Sequence, residues 1–413
     1  MDETDKSSDR IPSDPAGRVV QSDGRAYGRL DPTSFDDLTR VGAGTPMGEL
    51  LRRYWHPVGL AADANATPRL IRILGEDLVL FRDGNGQPGL LYPRCMHRGA
   101  SLYYGRVEER GIRCCYHGWL FDAAGHCLEQ PCEPNTDIAD GLARTRANAR
   151  QPWYPLEERY GLVFAYLGPA ARQPPLPRYD ALDDLGDGES IEADDSSIGS
   201  GGPQIVPCNW LQHFENVMDP FHVPILHGSF SGAQFVAQMA QMPSVTFEET
   251  ARGIRSTSLR TVDGRTFRRI TEAVLPTLRV VPSPRVGHYD RVESIGWTLP
   301  IDDTTFRIYV AGRIRETGEL GRMRSRYGGK TWSELTPEEH RAMPGDYEAQ
   351  TSQGAITFHS EEHLRTSDKG IALLRRMLRR QLALVAGGGD PAGTGRNAST
   401  DVVRLDAGNF LDP

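Results

Sequence analysis

The chain has 413 residues, 38% hydrophobic and 25% charged, with a formal net charge of -8. That length favours two domains over one, and the acidic balance argues against a nucleic-acid partner, which needs a basic face. The most apolar stretch, Gly161 to Leu167, is too short to cross a bilayer, and Met1 to Arg10 lacks the basic-then-apolar plan of a signal peptide, so a cytoplasmic protein without a membrane partner is expected.

Residues 1–33 mix Asp, Ser, Gly, Pro and Arg without periodicity and are expected to form a disordered arm. An N-terminal helix region follows over 34–49, and Leu50, Leu51 and Tyr54 place a short helix between Met47 and Trp55. Leu70–Leu74 and Leu78–Phe81 read as a hairpin, and strand and turn signals continue to Gly168. The proline-rich run from Pro169 to Pro177 marks a boundary, giving a first domain over 50–168 and a second over 169–390.

The second domain opens with an acidic loop, Asp180 to Asp195, then a helical segment from Asn209 to Val223. Phe267 to Leu275, Leu278 to Val281 and Thr305 to Arg313 read as antiparallel strands. Ser367 is the expected cap of a last amphipathic helix whose buried face carries Ile371, Leu374, Leu378 and Leu382. Beyond Ala386 the chain turns Gly-rich and is expected to fray, leaving a tail over 391–413.

Six cysteines in so long a chain do not make a disulfide framework, but five of them fall between Cys95 and Cys132. Cys95-Met96-His97-Arg98-Gly99 and Cys114-Cys115-Tyr116-His117-Gly118-Trp119 are two short loops, each offering one thiolate and one imidazole. A two-iron cluster with Cys95 and Cys114 on one iron and His97 and His117 on the other fits this set, the neutral imidazoles raising the potential above that of an all-cysteine cluster. Gly99 and Gly118 allow close backbone approach, so amides can donate to sulfur. A structural zinc site is the competing reading, but zinc loops usually pair like ligands within one loop, and these are mixed. Cys115, Cys127, Cys132 and Cys208 are read as small buried or surface residues, and His126 as a turn residue.

A second constellation lies in the helical segment. His222 and His227 are five residues apart, which on a straight α-helix leaves the rings about 140° out of line. Pro220 and Pro224 interrupt that helix and let the rings converge. Two histidines and one carboxylate with open positions suit iron(II) and oxygen chemistry. Glu215, Asp346, Glu348 and Glu361 are the carboxylates on offer. His359 and His363 are read as surface or packing residues, and no single Arg or Lys stands out as a carboxylate anchor.

These motifs resemble the Rieske ring-hydroxylating oxygenases, over roughly Met47 to Leu384. The resemblance implies an α+β chain, a Rieske [2Fe-2S] β-domain followed by a helix-grip catalytic domain with an antiparallel sheet. Asp219-x-x-His222-x-x-x-x-His227 is similar to the mononuclear-iron motif of that family, which makes both histidines ligands. Asp346 falls where the iron aspartate belongs in phthalate-dioxygenase-like members. Asp219 matches the carboxylate that links an iron ligand to a cluster histidine of the neighbouring subunit; its other reading is a helix cap ahead of Pro220. Asn216 resembles an asparagine near the iron in the monooxygenase branch; its other reading is an ordinary polar helix residue.

Gly125 to Pro131 looks like aryl-ether O-demethylase oxygenases. The implied function is monooxygenation of a small aromatic compound, by hydroxylation or O-demethylation. It would use O2 and electrons from a separate NAD(P)H-dependent flavin/iron-sulfur reductase, with or without a ferredoxin, in a homotrimer. The alternatives are a cis-dihydroxylating arene dioxygenase and, in another class, a non-catalytic electron-transfer or zinc-stabilised binding protein.

Overall fold

The computed structural model describes residues 31–133, 148–195, 198, 201–231, 234–283, 290–322, 327–394 and 402–412. The arm expected over residues 1–33 lies outside the described residues as far as residue 30. By its contacts the chain separates into two units. In the smaller, Phe35 stacks on His359 with ring centroids 4.4 Å apart, and Thr33 N–H donates to Ser360 Oγ at 2.8 Å. His359 is a packing residue there, and His363 is exposed.

The larger unit, Asp36–Thr357 with Leu364–Pro413, holds both metal constellations. Its early helix, Pro46–Leu51, starts with proline where no intrahelical N–H is lost, and Thr45 Oγ1 accepts from Gly48 N–H to cap it. Three small antiparallel sheets follow. Trp55–Leu60, Leu162–Tyr166 and Leu156–Arg159 form the first; Leu162–Tyr166 is buried throughout, as its unbroken apolar run requires. Arg69–Ile73 and Glu76–Arg82 make the expected hairpin, turning at Leu74 and Gly75 with φ of 48° and 80°, and Pro88–Leu91 and Trp153–Tyr154 extend it. The third sheet joins Arg106–Glu108, Gly111–Arg113, Leu120–Phe121 and Cys127–Glu129.

The second half of the unit is one large antiparallel sheet. Its strand order is Ser190–Asp194, Phe306–Ile314, Ser294–Pro300, Leu278–Val280, Arg265–Val274, Gly253–Val262 and Ser244–Glu249. Helix Lys369–Ala386 packs against Pro46–Leu51 and the Gly253–Val262 strand and buries Leu374, Met377 and Leu378. Leu74 and Gly75 of the first hairpin donate to Pro300 and Ile301 carbonyls at 3.1 and 2.8 Å, tying the small sheets to the large one.

The structure departs from the sequence expectations in four places. The α-helix from Asn209 ends at Asn216, and a π-helix over Val223–Phe230 follows. Ser367 does not cap the last helix; it sits in a 3-10 turn, Thr366–Asp368, and Asp368 precedes the helix without a side-chain cap bond. The acidic loop contains a helical turn, Asp180–Asp183, and an edge strand, because arginines on neighbouring elements pair its carboxylates: Arg313 with Glu189 at 3.2 Å and Arg307 with Asp195 at 2.6 Å. Beyond Ala386, Gly408–Asp412 does not fray: it pairs with Arg265–Val274, bringing Asp412 beside Arg268 at 2.8 Å.

Candidate metal centres

The two cysteine loops are built alike. Cys95 N–H donates to the Ala100 carbonyl (2.8 Å) and Gly99 N–H returns to Cys95 O (2.7 Å); Cys114 N–H donates to Trp119 O (2.9 Å) and Gly118 N–H returns to Cys114 O (3.1 Å). Each return needs a left-handed residue, and Gly99 and Gly118 supply it with φ of 77° and 70°. Two side chains hold the loops in place, Gln151 from far along the chain and Arg113 from just before Cys114. Buried Gln151 accepts from Met96 N–H (2.8 Å) and donates to Tyr92 and Arg94 carbonyls (2.7 and 2.9 Å). Arg113 donates to Gly118 O (2.6 Å) while Glu108 and Glu129, each at 2.7 Å, fix its guanidinium.

Within this frame like sits with like. The buried sulfurs of Cys95 and Cys114 are neighbours; burial pushes the Cys95 thiol up to about 12, Cys114 adds to this, and the amides of His97 and Arg98 oppose it. His97 and His117 are half-buried with ring centroids 4.6 Å apart. Trp119 stacks on His97 at 4.5 Å, and His97 Nδ1 is buried without a hydrogen-bond partner. A tetrahedral zinc site would draw four ligand atoms around one point. These four do not form such a point: among the described residues, the trio whose ligand atoms all lie within 4.8 Å of one another is His222, His227 and Asp346. A thiol pair beside an imidazole pair fits a two-iron cluster instead. Cys115 is exposed, Cys132 Sγ donates to His117 O at 3.6 Å, Cys127 and Cys208 are buried, and His126 closes a turn against Asp122 at 2.9 Å.

The second trio owes its geometry to the π-helix. With i→i+5 hydrogen bonding, a residue five positions on returns nearly to the same face, so His222, just before the helix, and His227 converge with centroids 5.3 Å apart. His227 Nδ1–H donates to Gln234 Oε1 at 2.8 Å, leaving Nε2 to face Asp346 Oδ1 at 3.3 Å. His222 Nδ1–H donates to the Asp219 carbonyl, and its Nε2 lies 3.6 Å from the same Asp346 oxygen. With each Nδ1 engaged, Nε2 is the ring atom left to hold a metal beside that carboxylate. Burial opposes ionisation of Asp346, but the neighbouring histidines, His227 foremost, hold its carboxyl well below the usual range.

The other carboxylates on offer are engaged elsewhere or outside the trio. Arg375 grips buried Glu215 in two bonds of 2.5 and 2.7 Å, and Glu348 accepts from Trp332 Nε1 and His340, each at 2.8 Å. Glu361 ends a 3-10 turn, His359–Glu361, and is not in the trio. Asn216 Nδ2 donates to Asp346 Oδ1 at 3.3 Å. Asp219 serves as a turn cap, its Oδ1 accepting from Phe221 and His222 N–H, while Oδ2 lies 3.5 Å from His222 Nδ1. Burial raises the Asp219 carboxyl, but His222 and these two amides outweigh it and hold the group below its usual range.

The trio opens onto a cavity of about 240 Å³ walled by the large sheet and the Trp210–Asn216 helix. Sequence reasoning missed several residues around the trio and its cavity. Gln234 aims His227. Fully buried His213 accepts from Arg279 Nη1 (2.6 Å), donates to Gln350 Oε1 (2.9 Å) and is pushed down to about 3 by burial. Arg260, Arg269 and Arg279 line the cavity too, although nothing in the sequence singled out an arginine.

The Rieske [2Fe-2S] domain family matches residues 54–145. Across 400 residues the chain is 51% identical to the phenoxybenzoate dioxygenase subunit alpha of Ectopseudomonas oleovorans, covering 95% of each protein. The chain belongs to the Rieske oxygenase alpha components. This oxygenase is also 34% identical to the 5,5'-dehydrodivanillate O-demethylase oxygenase subunit of a Sphingobium species, over 86% of this chain and 81% of that one. Its fold is that of solved Rieske oxygenases. Dicamba monooxygenase bound to dicamba superposes with a TM-score of 0.59 at 17% identity, covering 82% of this chain and 99% of that one. NdmA of Pseudomonas putida CBB5 gives 0.58 at 21%, covering 83% and 93%. The oxygenase is an oxidoreductase whose cofactors are a Rieske cluster and a mononuclear iron. Among the described residues no helix is long and apolar enough to cross a membrane.

Proposed function

We propose that this oxygenase inserts one atom of O2 into a small aromatic compound, by hydroxylation or O-demethylation, in the cytoplasm. A separate NAD(P)H-dependent flavin/iron-sulfur reductase would supply the electrons, directly or through a ferredoxin. The observation that carries the reading is the His222–His227–Asp346 trio opening onto a cavity in the same chain as the paired cysteines and histidines. Relatives named as an O-demethylase and a phenoxybenzoate dioxygenase support aromatic chemistry.

Cys95 and Cys114 would hold one iron of the cluster and His97 and His117 the other, while His222, His227 and Asp346 hold the single iron. When bound, the cluster supplies single electrons and the lone iron supplies oxygen activation. Gln234 and the Asp219 carbonyl fix the two imidazole tautomers, and Asn216 steadies the Asp346 carboxylate. In a homotrimer, Asp219 of one subunit would meet a cluster histidine of its neighbour and couple the centres. The cluster domain spans 50–168 after the 34–49 helix region and the 1–33 arm, and the catalytic domain opens at 169. Its bound at 390 then gives way to Asp412, because Gly408–Asp412 pairs within the large sheet.

Turnover of an aromatic substrate under 18O2 tests the reading. One labelled oxygen is expected, in the new ring hydroxyl after hydroxylation or in the released formaldehyde, trapped before it exchanges with water, after O-demethylation; two in a cis-diol would establish dihydroxylation instead.

A further inference from the structure

The cavity wall carries more positive charge than the iron trio explains. Strand alternation points Ser256, Ser258 and Arg260 of one strand into the cavity beside Arg269 and Thr271 of the next. Ser258 pairs with Arg269 and Arg260 with Phe267, so the two arginines are diagonal neighbours on one face. Their hydrogen-bond acceptors are neutral. Arg269 donates to the Pro282 and Ser283 carbonyls (2.7 and 3.2 Å) and to Asn409 Oδ1 (3.0 Å). Arg260 Nε donates to Gln241 O at 2.9 Å, while its Nη1 is buried with no hydrogen-bond partner, in a residue only 5% exposed.

The cavity's own carboxylates, Asp219 and Asp346, are engaged with His222 and His227. Burial pushes Arg260 down to about 10 and Arg269 to about 9; the charge of Arg260 adds to the shift at Arg269, and Glu293 offsets only part of it. A buried cation beside a part-buried one, both with neutral acceptors, is costly to the free protein, and an anionic ligand is the chemistry that relieves the cost. A guanidinium with a spare donor suits a planar carboxylate in particular. Ser256, Ser258 and Thr271 add hydroxyls along the same wall, while Val223, Phe235 and Ile308 supply apolar surface for a ring.

We propose that Arg260, backed by Arg269, binds the carboxylate of the substrate, so that this oxygenase takes aromatic acids in preference to neutral arenes. The proposal rests on the aromatic-substrate reading above. In it Arg260 is a specificity-determining residue that touches the substrate away from the reacting atoms.

Anaerobic calorimetric titration of the loaded oxygenase with phenoxybenzoate and with phenoxybenzamide, its uncharged counterpart, tests it. The acid should bind at least tenfold more tightly than the amide. Arg260→Gln should weaken the acid at least tenfold and leave the amide unchanged, and Arg260→Lys should recover part of the loss. The reduced-cluster resonance signal reports that each variant is intact, and the wild-type comparison of acid with amide stands without any variant. Equal binding of acid and amide by the wild type, or an acid preference that survives in Arg260→Gln, overturns the anchor. If both compounds bind and turn over equally, the anchor alone fails. If neither binds, and neutral arenes do not either, the aromatic reading fails and takes the anchor with it.

Discussion

His97 follows Cys95 by two residues and His117 follows Cys114 by three, whereas Asp346 lies 119 residues from His227. The cluster loops are closed by backbone bonds within each loop around a glycine at the turn, with Gln151 and Arg113 bracing them from outside. The iron trio depends on a π-helix, a distant six-residue helix and three side-chain partners, Gln234, Asp219 and Asn216. A centre that passes electrons is written into local sequence; a centre that faces substrate is assembled across the fold. Substitutions on one side should therefore leave the other side's signature intact.

The largest effect is expected at the trio itself. His222→Ala should lower turnover by more than the 10–100-fold typical of losing an outer partner of a metal ligand. The resonance signal of the reduced cluster should be unchanged, and retained turnover would break the assignment. Gln234→Leu should cost roughly 10–100-fold in iron affinity or activity, because His227 loses the partner that fixes its tautomer. Iron titration of the apo site measures this, again with an unaltered cluster signal.

On the cluster side, Gln151→Leu leaves Met96 N–H and the Tyr92 and Arg94 carbonyls without their partner. A fully buried group left unpaired costs about 1–3 kcal/mol, and these are part-buried, so a loss at the lower end is expected. Chemical denaturation should show that loss together with a perturbed cluster signal, while affinity at the mononuclear site stays the same.

The smallest effect is a pH dependence set by His213. Its folded-state pKa, about 3, lies below the ordinary 6.5, so below pH 6.5 the unfolded chain takes up a proton that the folded one refuses. Stability from this residue is fully present above pH 6.5 and is lost progressively as pH falls toward 3. Lowering the pH from 7.5 to 5.5 should cost the wild type on the order of 1 kcal/mol more than His213→Gln, read from denaturation midpoints at both values. Equal losses would mean that His213 is charged in the fold.

The contrast between the two centres also marks what the sequence disclosed. Cys95, His97, Cys114 and His117 were legible because their spacing is local, and the hairpins and the last helix because periodicity is local. Convergence of His222 with His227 was expected from the prolines, yet its means, a π-helix, has no local pattern that announces it. Asp346 came from resemblance; spacing alone did not separate it from Glu215, which Arg375 occupies across 160 residues. Gln151, Gln234 and His213 act through partners that only the folded chain brings near. The arginine wall is invisible until strand register puts Arg260 and Arg269 on one face. The strand Gly408–Asp412 was hidden by the Gly-rich run before it, which carries no strand pattern of its own.

Iron, sulfide and zinc analysis of protein reconstituted anaerobically, paired with electron resonance after reduction, tests most directly that two separate centres share this chain. About three irons and two acid-labile sulfides per chain are expected, with a Rieske-type signal that persists when a chelator strips the lone iron. A colourless protein holding zinc at the four-residue site, with no such signal, would contradict the account.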